Sequence, residues 1–162
     1  MPQPAYLTLK GKNQGEIKGS CPISGHEESI LVQAFNHEVS IPTNIQTGAP
    51  TGPRAHQSFT ITKEYDKSSP KLYQALTSGE HMDTVKIELY RINPKGTEEH
   101  YFTTTLNDAL IVSIKPWMQN ALDPAAKNYT HMEDVSFTYR KINWQWVPDG
   151  IESEDDWNVP KR

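Results

Sequence analysis

The sequence predicts a mainly β domain: an antiparallel β-barrel of two sheets with one short α-helix and one long extended loop. Three observations carry this expectation. Four segments alternate apolar and polar residues with period two, the pattern of strands with one dry and one wet face. Only 35% of the residues are hydrophobic, yet 15 aromatics (4 Trp, 7 Tyr, 4 Phe) are spread along the chain and the net charge is only -4. Such a chain can fold, but around a thin core rather than a large one. Finally, helical spacing shows in just one segment, at about residues 70–78. A length of 162 residues fits one domain.

Taken along the chain, the first distinctive stretch is a polar, aperiodic segment at about residues 42–56, with Pro42, Gly48, Pro50, Gly52 and Pro53. Loops of that length in compact domains are usually functional or disordered. Phe59, Ile61 and Tyr65 then share a face, with Ser58, Thr60, Thr62 and Glu64 on the other; Lys63 interrupts the apolar face.

Leu72, Tyr73, Ala75 and Leu76 follow at helical spacing. Ser69 is the expected N-cap, Pro70 fills the first helical position, and Gly79 ends the helix. With one apolar side, this helix should plug an end or a face of the sheet. Val85, Ile87 and Leu89 alternate with Lys86, Glu88 and Tyr90, and Asn93-Pro94-Lys95-Gly96 reads as a hairpin turn.

Leu110, Val112 and Ile114 alternate with Ala109, Ile111 and Ser113, and Asp123-Pro124 marks another loop. In the last strand Val135, Phe137 and Tyr139 are odd-numbered, whereas Ile142, Trp144 and Trp146 are even. Either a bulge near Arg140-Lys141 or a bend in a long strand would change the parity. Trp144 and Trp146 share a face and are expected to pack rather than to stack on a ligand.

The charge is uneven. Asp149, Glu152, Glu154, Asp155 and Asp156 form an acidic run without a base, while residues 1–148 hold 15 acids and 14 bases. The expected organisation is a barrel domain over 1–148 and a solvated, mobile acidic tail over 149–162. A near-neutral body lacks the basic face that nucleic acid requires. No apolar run approaches the ~18 residues of a membrane span. A secretory signal is not expected from Met1-Pro2-Gln3-Pro4-Ala5-Tyr6.

No catalytic constellation emerges. Cys21 is the lone cysteine and cannot staple its own chain. His26, His37, His56, His81, His100 and His131 show no metal-ligand spacing and read as solvated or hydrogen-bonded surface groups. Glu27-Glu28, Glu98-Glu99 and Glu133-Asp134 are adjacent carboxylates, which point to opposite faces of a strand. No enzyme, no metal and no cofactor is expected.

Four stretches then carry a resemblance. They are Ala5 to Gly11 (AYLTLKG), Ser58 to Leu72 (SFTITKEYDKSSPKL), Tyr101 to Leu106 (YFTTTL) and Val135 to Trp146 (VSFTYRKINWQW). In this order they resemble the Hcp (haemolysin-coregulated protein) family, the tube protein of bacterial type VI secretion systems. The acidic end after Val147 is the least diagnostic part.

The resemblance implies an antiparallel barrel with a helix at its side. Six copies would form a ring, and rings would stack into a hollow tube that carries or chaperones small effectors in its lumen. A contractile sheath would drive the tube, capped by a VgrG-type spike and launched from a baseplate, out of the bacterial cytoplasm into the medium or a target cell, with no cleaved signal peptide. The loop Pro42 to Arg54 stands where the family has its extended loop, so Thr43, Asn44, Gln46 and Gly48 are the expected subunit or ring-stacking contacts. The alternatives are a phage-type tail-tube protein and a monomeric barrel that binds a small ligand inside.

Overall fold

In a computed structural model the described residues are 3–160. The chain runs β1 (Ala5–Gly11), β2 (Gly15–Ile17), β3 (Ile30–Val32), β4 (Ala34–Asn36), β5 (Val39–Ser40), β6 (Ala55–His56), β7 (Phe59–Glu64), α1 (Ser69–Ser78), β8 (His81–Ile92), β9 (Glu98–Trp117), β10 (Met132–Thr138), β11 (Lys141–Trp146) and β12 (Ile151–Asp156). The architecture is mainly β and antiparallel, as expected. Among the described residues a 10-stranded sheet in the order β2-β1-β8-β9-β10-β7-β4 carries β3 on β1, β11 on β9, and β12 on β11. A second, 2-stranded sheet is β5 with β6.

β3 pairs with β1, and β4 pairs with β7. The segment Ile30–Asn36 therefore ties the two ends of the sheet together. It does so through a break at Gln33, whose N–H donates to the Thr62 carbonyl at 2.8 Å. The ladder is thus not continuous around the wall. Its inside is filled: Leu7, Leu9, Ile30, Ile61, Val85, Ile87, Leu106, Val135 and Phe137 belong to one buried cluster. Each such side chain contributes about 1.5–3 kcal/mol by leaving water.

The strand β9 is the spine of the molecule. Its N-terminal half lies between β8 and β11, and its C-terminal half pairs with β10. Its buried side departs from the expected alternation. Ala109 and Ile111 are buried, while Val112 is 44% exposed. The reason is a register shift: Ser113 faces Ser136 but Ile111 faces Phe137, so Val112 is an extra residue.

The parity change of the last strand is a bend without an insertion. Thr138 faces Leu110 and Lys141 faces Asn107, which leaves two residues between them in each chain. Both chains turn together, and Asp108 takes φ 50 at that point. Tyr139 lies at this bend.

The helix spans Ser69–Ser78 and docks Leu72 and Ala75 into the core. Ser68 rather than Ser69 is the N-cap residue, and its side chain makes no cap bond to the helix. Instead Ser68 N–H and Oγ–H both donate to Asp66 Oδ1. Ser69 is claimed by the interior, where its hydroxyl donates to Glu133 Oε1 at 2.8 Å. Gly79 ends the helix as expected, in the left-handed region at φ 69.

The residue that interrupts the apolar face of β7 is fully buried. Lys63 Nζ lies 2.5 Å from Glu133 Oε1 and 3.2 Å from Asp66 Oδ1. Glu133 and Asp134 do point to opposite faces; Asp134 accepts from Thr62 Oγ1 at 2.7 Å. Tyr65, expected on the dry face, lies beyond the end of β7 and is 45% exposed.

The acidic end is not a free tail. β12 pairs with β11 along six residues, from Ile151 opposite Trp146 to Asp156 opposite Lys141. Glu152 and Glu154 remain exposed, but Asp155 is buried. Alternation explains this: the acids on the wet face are solvated, and one acid on the other face meets cations of the body.

Candidate assembly arm and its anchorage

The segment expected to be an irregular loop is a β-hairpin arm. At its base Val39 pairs with His56 and Ser40 with Ala55. Further out Thr43 bridges Pro50, and Thr51 N–H donates to the Pro42 carbonyl at 2.8 Å. At the tip Asn44 N–H donates to the Ala49 carbonyl, and Gly48 N–H to the Asn44 carbonyl, each at 2.8 Å. The sequence hid this arm because its prolines and small polar residues break period-two alternation.

Of the four expected contact residues, Asn44 and Gly48 shape the turn itself. The Asn44 side-chain oxygen accepts from Gln46 N–H at 2.8 Å and from Thr47 N–H at 3.2 Å. Gly48 sits at φ 74, where any Cβ would be strained. Thr43 and Gln46 are exposed on the same tip. Ile45 between them is 101% exposed, Ile41 is 55% and Val39 is 40%. These branched side chains on the hairpin are apolar surface left open to water.

The base of the arm is fixed by polar groups rather than by greasy packing. Tyr139 OH lies 2.7 Å from His37 Nε2 and 2.6 Å from His56 Nδ1. His56 Nε2 lies 2.8 Å from Asp155 Oδ2. Arg54 Nε donates to the same oxygen at 2.5 Å, and Arg54 Nη2 donates to the carbonyls of Asp156 and Val159. Trp157 packs against His56 with ring centres 5.2 Å apart. The tip of the arm is thus free, while its root is bonded to β12 and to the bend after β10.

Burial, and then the charge of neighbouring His56, hold His37 below the usual histidine range. Burial, and then the Asp155 carboxylate, push the Tyr139 phenol well above its usual range. Both groups are therefore neutral at pH 7, and they act as hydrogen-bonding partners. This anchorage corrects the expectation that the histidines are surface groups: His56 is buried. The sequence signal that could have located it is a histidine on each flank of the aperiodic segment, at positions 37 and 56.

Trp146 and Tyr101 flank the Arg91 guanidinium, which lies 5.1 Å and 4.9 Å from their ring centres. Trp146 Nε1–H donates to Asp149 at 3.1 Å, and Trp144 packs against the core cluster. Trp144 thus packs on the core, and Trp146 on Arg91. Cys21 is buried and unpaired among the described residues.

A model of the family described as "Type VI secretion system effector, Hcp" matches residues 6–146. The chain is 48% identical to the "Major exported protein" of Pseudomonas aeruginosa, over 99% of this chain and 98% of that protein. Among solved structures it is similar to an "Hcp protein" crystal structure, with a TM-score of 0.91 and 36% identity over 98% of this chain and all of that one. The secreted protein Hcp3 from Pseudomonas aeruginosa is 42% identical at a TM-score of 0.81, over 98% of this chain and all of that one.

Proposed function

This chain belongs to the Hcp family of the type VI secretion system, and on that premise we propose that it is the tube subunit of such a system. In this reading, six copies close into a ring, the rings stack into a tube, and the lumen carries or chaperones small effectors. The sheath pushes the tube, a VgrG-type spike caps it, the baseplate launches it, and the subunit leaves the cell with no cleaved signal peptide. Its work is structural, without catalytic turnover.

The observation that carries this reading is the arm: a bonded root, a projecting tip, and Ile41 and Ile45 uncovered along it. A ring of one subunit type needs a heterologous interface, in which two different surfaces of the same chain meet. The arm supplies one such surface, with Thr43, Asn44, Gln46 and Gly48 at its tip, and a wet strand face of the next copy supplies the other.

The test is negative-stain electron microscopy of the purified protein together with size-exclusion chromatography and light scattering. Six-fold rings with an open centre are expected. A strictly monomeric particle at high concentration overturns the reading.

A further inference from the structure

The root of the arm contains a chain of hydrogen bonds that joins two imidazoles through one phenol. Tyr139 OH is shared by two imidazoles, at 2.7 Å from His37 Nε2 and 2.6 Å from His56 Nδ1. His56 Nε2 faces Asp155 Oδ2 at 2.8 Å. A carboxylate can only accept, so His56 Nε2 carries hydrogen. In neutral His56, Nδ1 is then an acceptor, and the Tyr139 O–H donates to it. The Tyr139 oxygen in turn accepts the Nε2–H of His37. With both rings neutral, each of these bonds has one donor and one acceptor.

One added proton is accommodated without loss of a hydrogen bond. On His37 it goes to Nδ1 and leaves the chain of bonds unchanged. On His56 it makes Nδ1 a donor to the Tyr139 oxygen, and the Tyr139 O–H turns to His37 Nε2, whose ring takes the other tautomer. A second proton has no such solution. Both rings would then donate to the same phenol oxygen, and the O–H of that phenol would have no imidazole left to accept it. Two cations would also meet on one tyrosine that is 4% exposed.

We propose that His37, Tyr139 and His56 form a proton-counting latch, which holds the arm while at most one imidazole is charged and releases it when both are. The surrounding charges favour release through His37. From β12, Asp155 and Asp156 face the root; Asp155 is committed to Arg54 and His56, and Asp156 Oδ2 lies 3.8 Å from Arg140 Nε at the bend. From β7 the apolar ring of Phe59 faces His37, at 5.1 Å. Neighbouring Glu38 is exposed, and its backbone carbonyl accepts from Gln57 N–H at 2.9 Å. Among these bonds His56 keeps a carboxylate, whereas His37 has only the phenol.

His37 lies two residues before β5, and the sheet at the base of the arm has only two residue pairs. Loss of the His37 bond therefore falls on the weakest part of the root. The sign follows from linkage. In the docked arm burial, and then the charge of His56, hold His37 below its free pKa of about 6.5, so the released arm binds the second proton more readily and docking weakens as pH falls below about 6.5. One linked proton changes the docking equilibrium by up to about tenfold per pH unit there.

The test is amide hydrogen exchange of residues 38–56, corrected for intrinsic rates, at about pH 7.5 and about pH 5.0. It is run on the wild type and on His37→Gln, which keeps a donor but does not titrate. Wild-type protection in the arm should fall at least about tenfold, with amides of β1, β8 and β9 unchanged, and His37→Gln should stay flat. A flat wild-type profile, or an equal fall in His37→Gln, overturns the latch. The readout is the arm itself, so the latch stands apart from the assembly role. Native mass spectrometry of the same samples reports the oligomer separately, and exposure that appears only with ring dissociation in both proteins also overturns it.

Discussion

Lys63 shows how one residue can mislead a pattern and still obey physics. A lysine in the apolar row of β7 looks like a break in the face. Its ammonium is instead fully buried between Glu133, Asp66 and Ser69. Such a pair gains little over a well-packed apolar pair, but removing one partner strands the other. Lys63→Ala is therefore expected to cost about 3–5 kcal/mol in denaturant unfolding. The double variant Lys63→Met/Glu133→Leu should recover part of that, because Glu133 loses its charge along with its partner, while Asp66 keeps its charge and the donors of Ser68 but loses the ammonium. A single variant within about 1 kcal/mol of wild type would show that the pair is not the anchor of the helix start.

At the scale of elements, β12 and the arm depend on each other. Arg54 and His56 of the arm root share Asp155, and Arg54 also reaches carbonyls of Asp156 and Val159. A chain ending at Pro148 loses all of these acceptors and one of the two strands that pair with β11. Its thermal midpoint should fall by several degrees, about 2–4 °C for each kcal/mol lost. Exchange protection at the arm root should vanish while β1, β8 and β9 keep theirs. Retained protection at Ala55 and His56 in that truncated chain would show that β12 does not hold the arm.

At the scale of the whole molecule, the buried core and the exposed arm tip are separate parts, and the proposed assembly role falls to the tip. The filled interior of the wall makes the domain stable, and the arm tip adds little to it because its side chains touch water. Replacing residues 44–49 by a short turn should leave a soluble protein whose midpoint moves by no more than about 2 °C. Under conditions in which the wild type forms tubes, that variant should form only short stacks or single rings by electron microscopy. Long tubes from the shortened arm would rule out stacking through the tip. The low apolar fraction suits this division, since a wall with water on its outside and, in a ring, in a lumen has few faces to keep dry.

Much of the chain was legible from local rules. Alternation at Val85–Leu89 and Val135–Tyr139 fixed which faces are dry, because a strand side chain has only two directions to take. Pro70 and Gly79 bounded the helix through backbone geometry alone. The Asn93–Gly96 turn followed from its residue types, with Gly96 at φ 82. What local rules could not supply were the pairings between distant residues. Lys63 with Glu133, His37 and His56 with Tyr139, and Arg54 with Asp155 join positions about 70 to 100 apart in the chain, brought together only by strand order. The acidic end read as a solvated tail for the same reason, since its charge was visible and its partner strand was not. The sequence by itself determined the β character, the helix and the family resemblance, because these rest on periodicity and on contiguous residues. Only the tertiary structure decided which charges are buried, where the parity changes, and that the aperiodic segment is an anchored arm, because burial and register are properties of neighbours that sequence distance does not reveal.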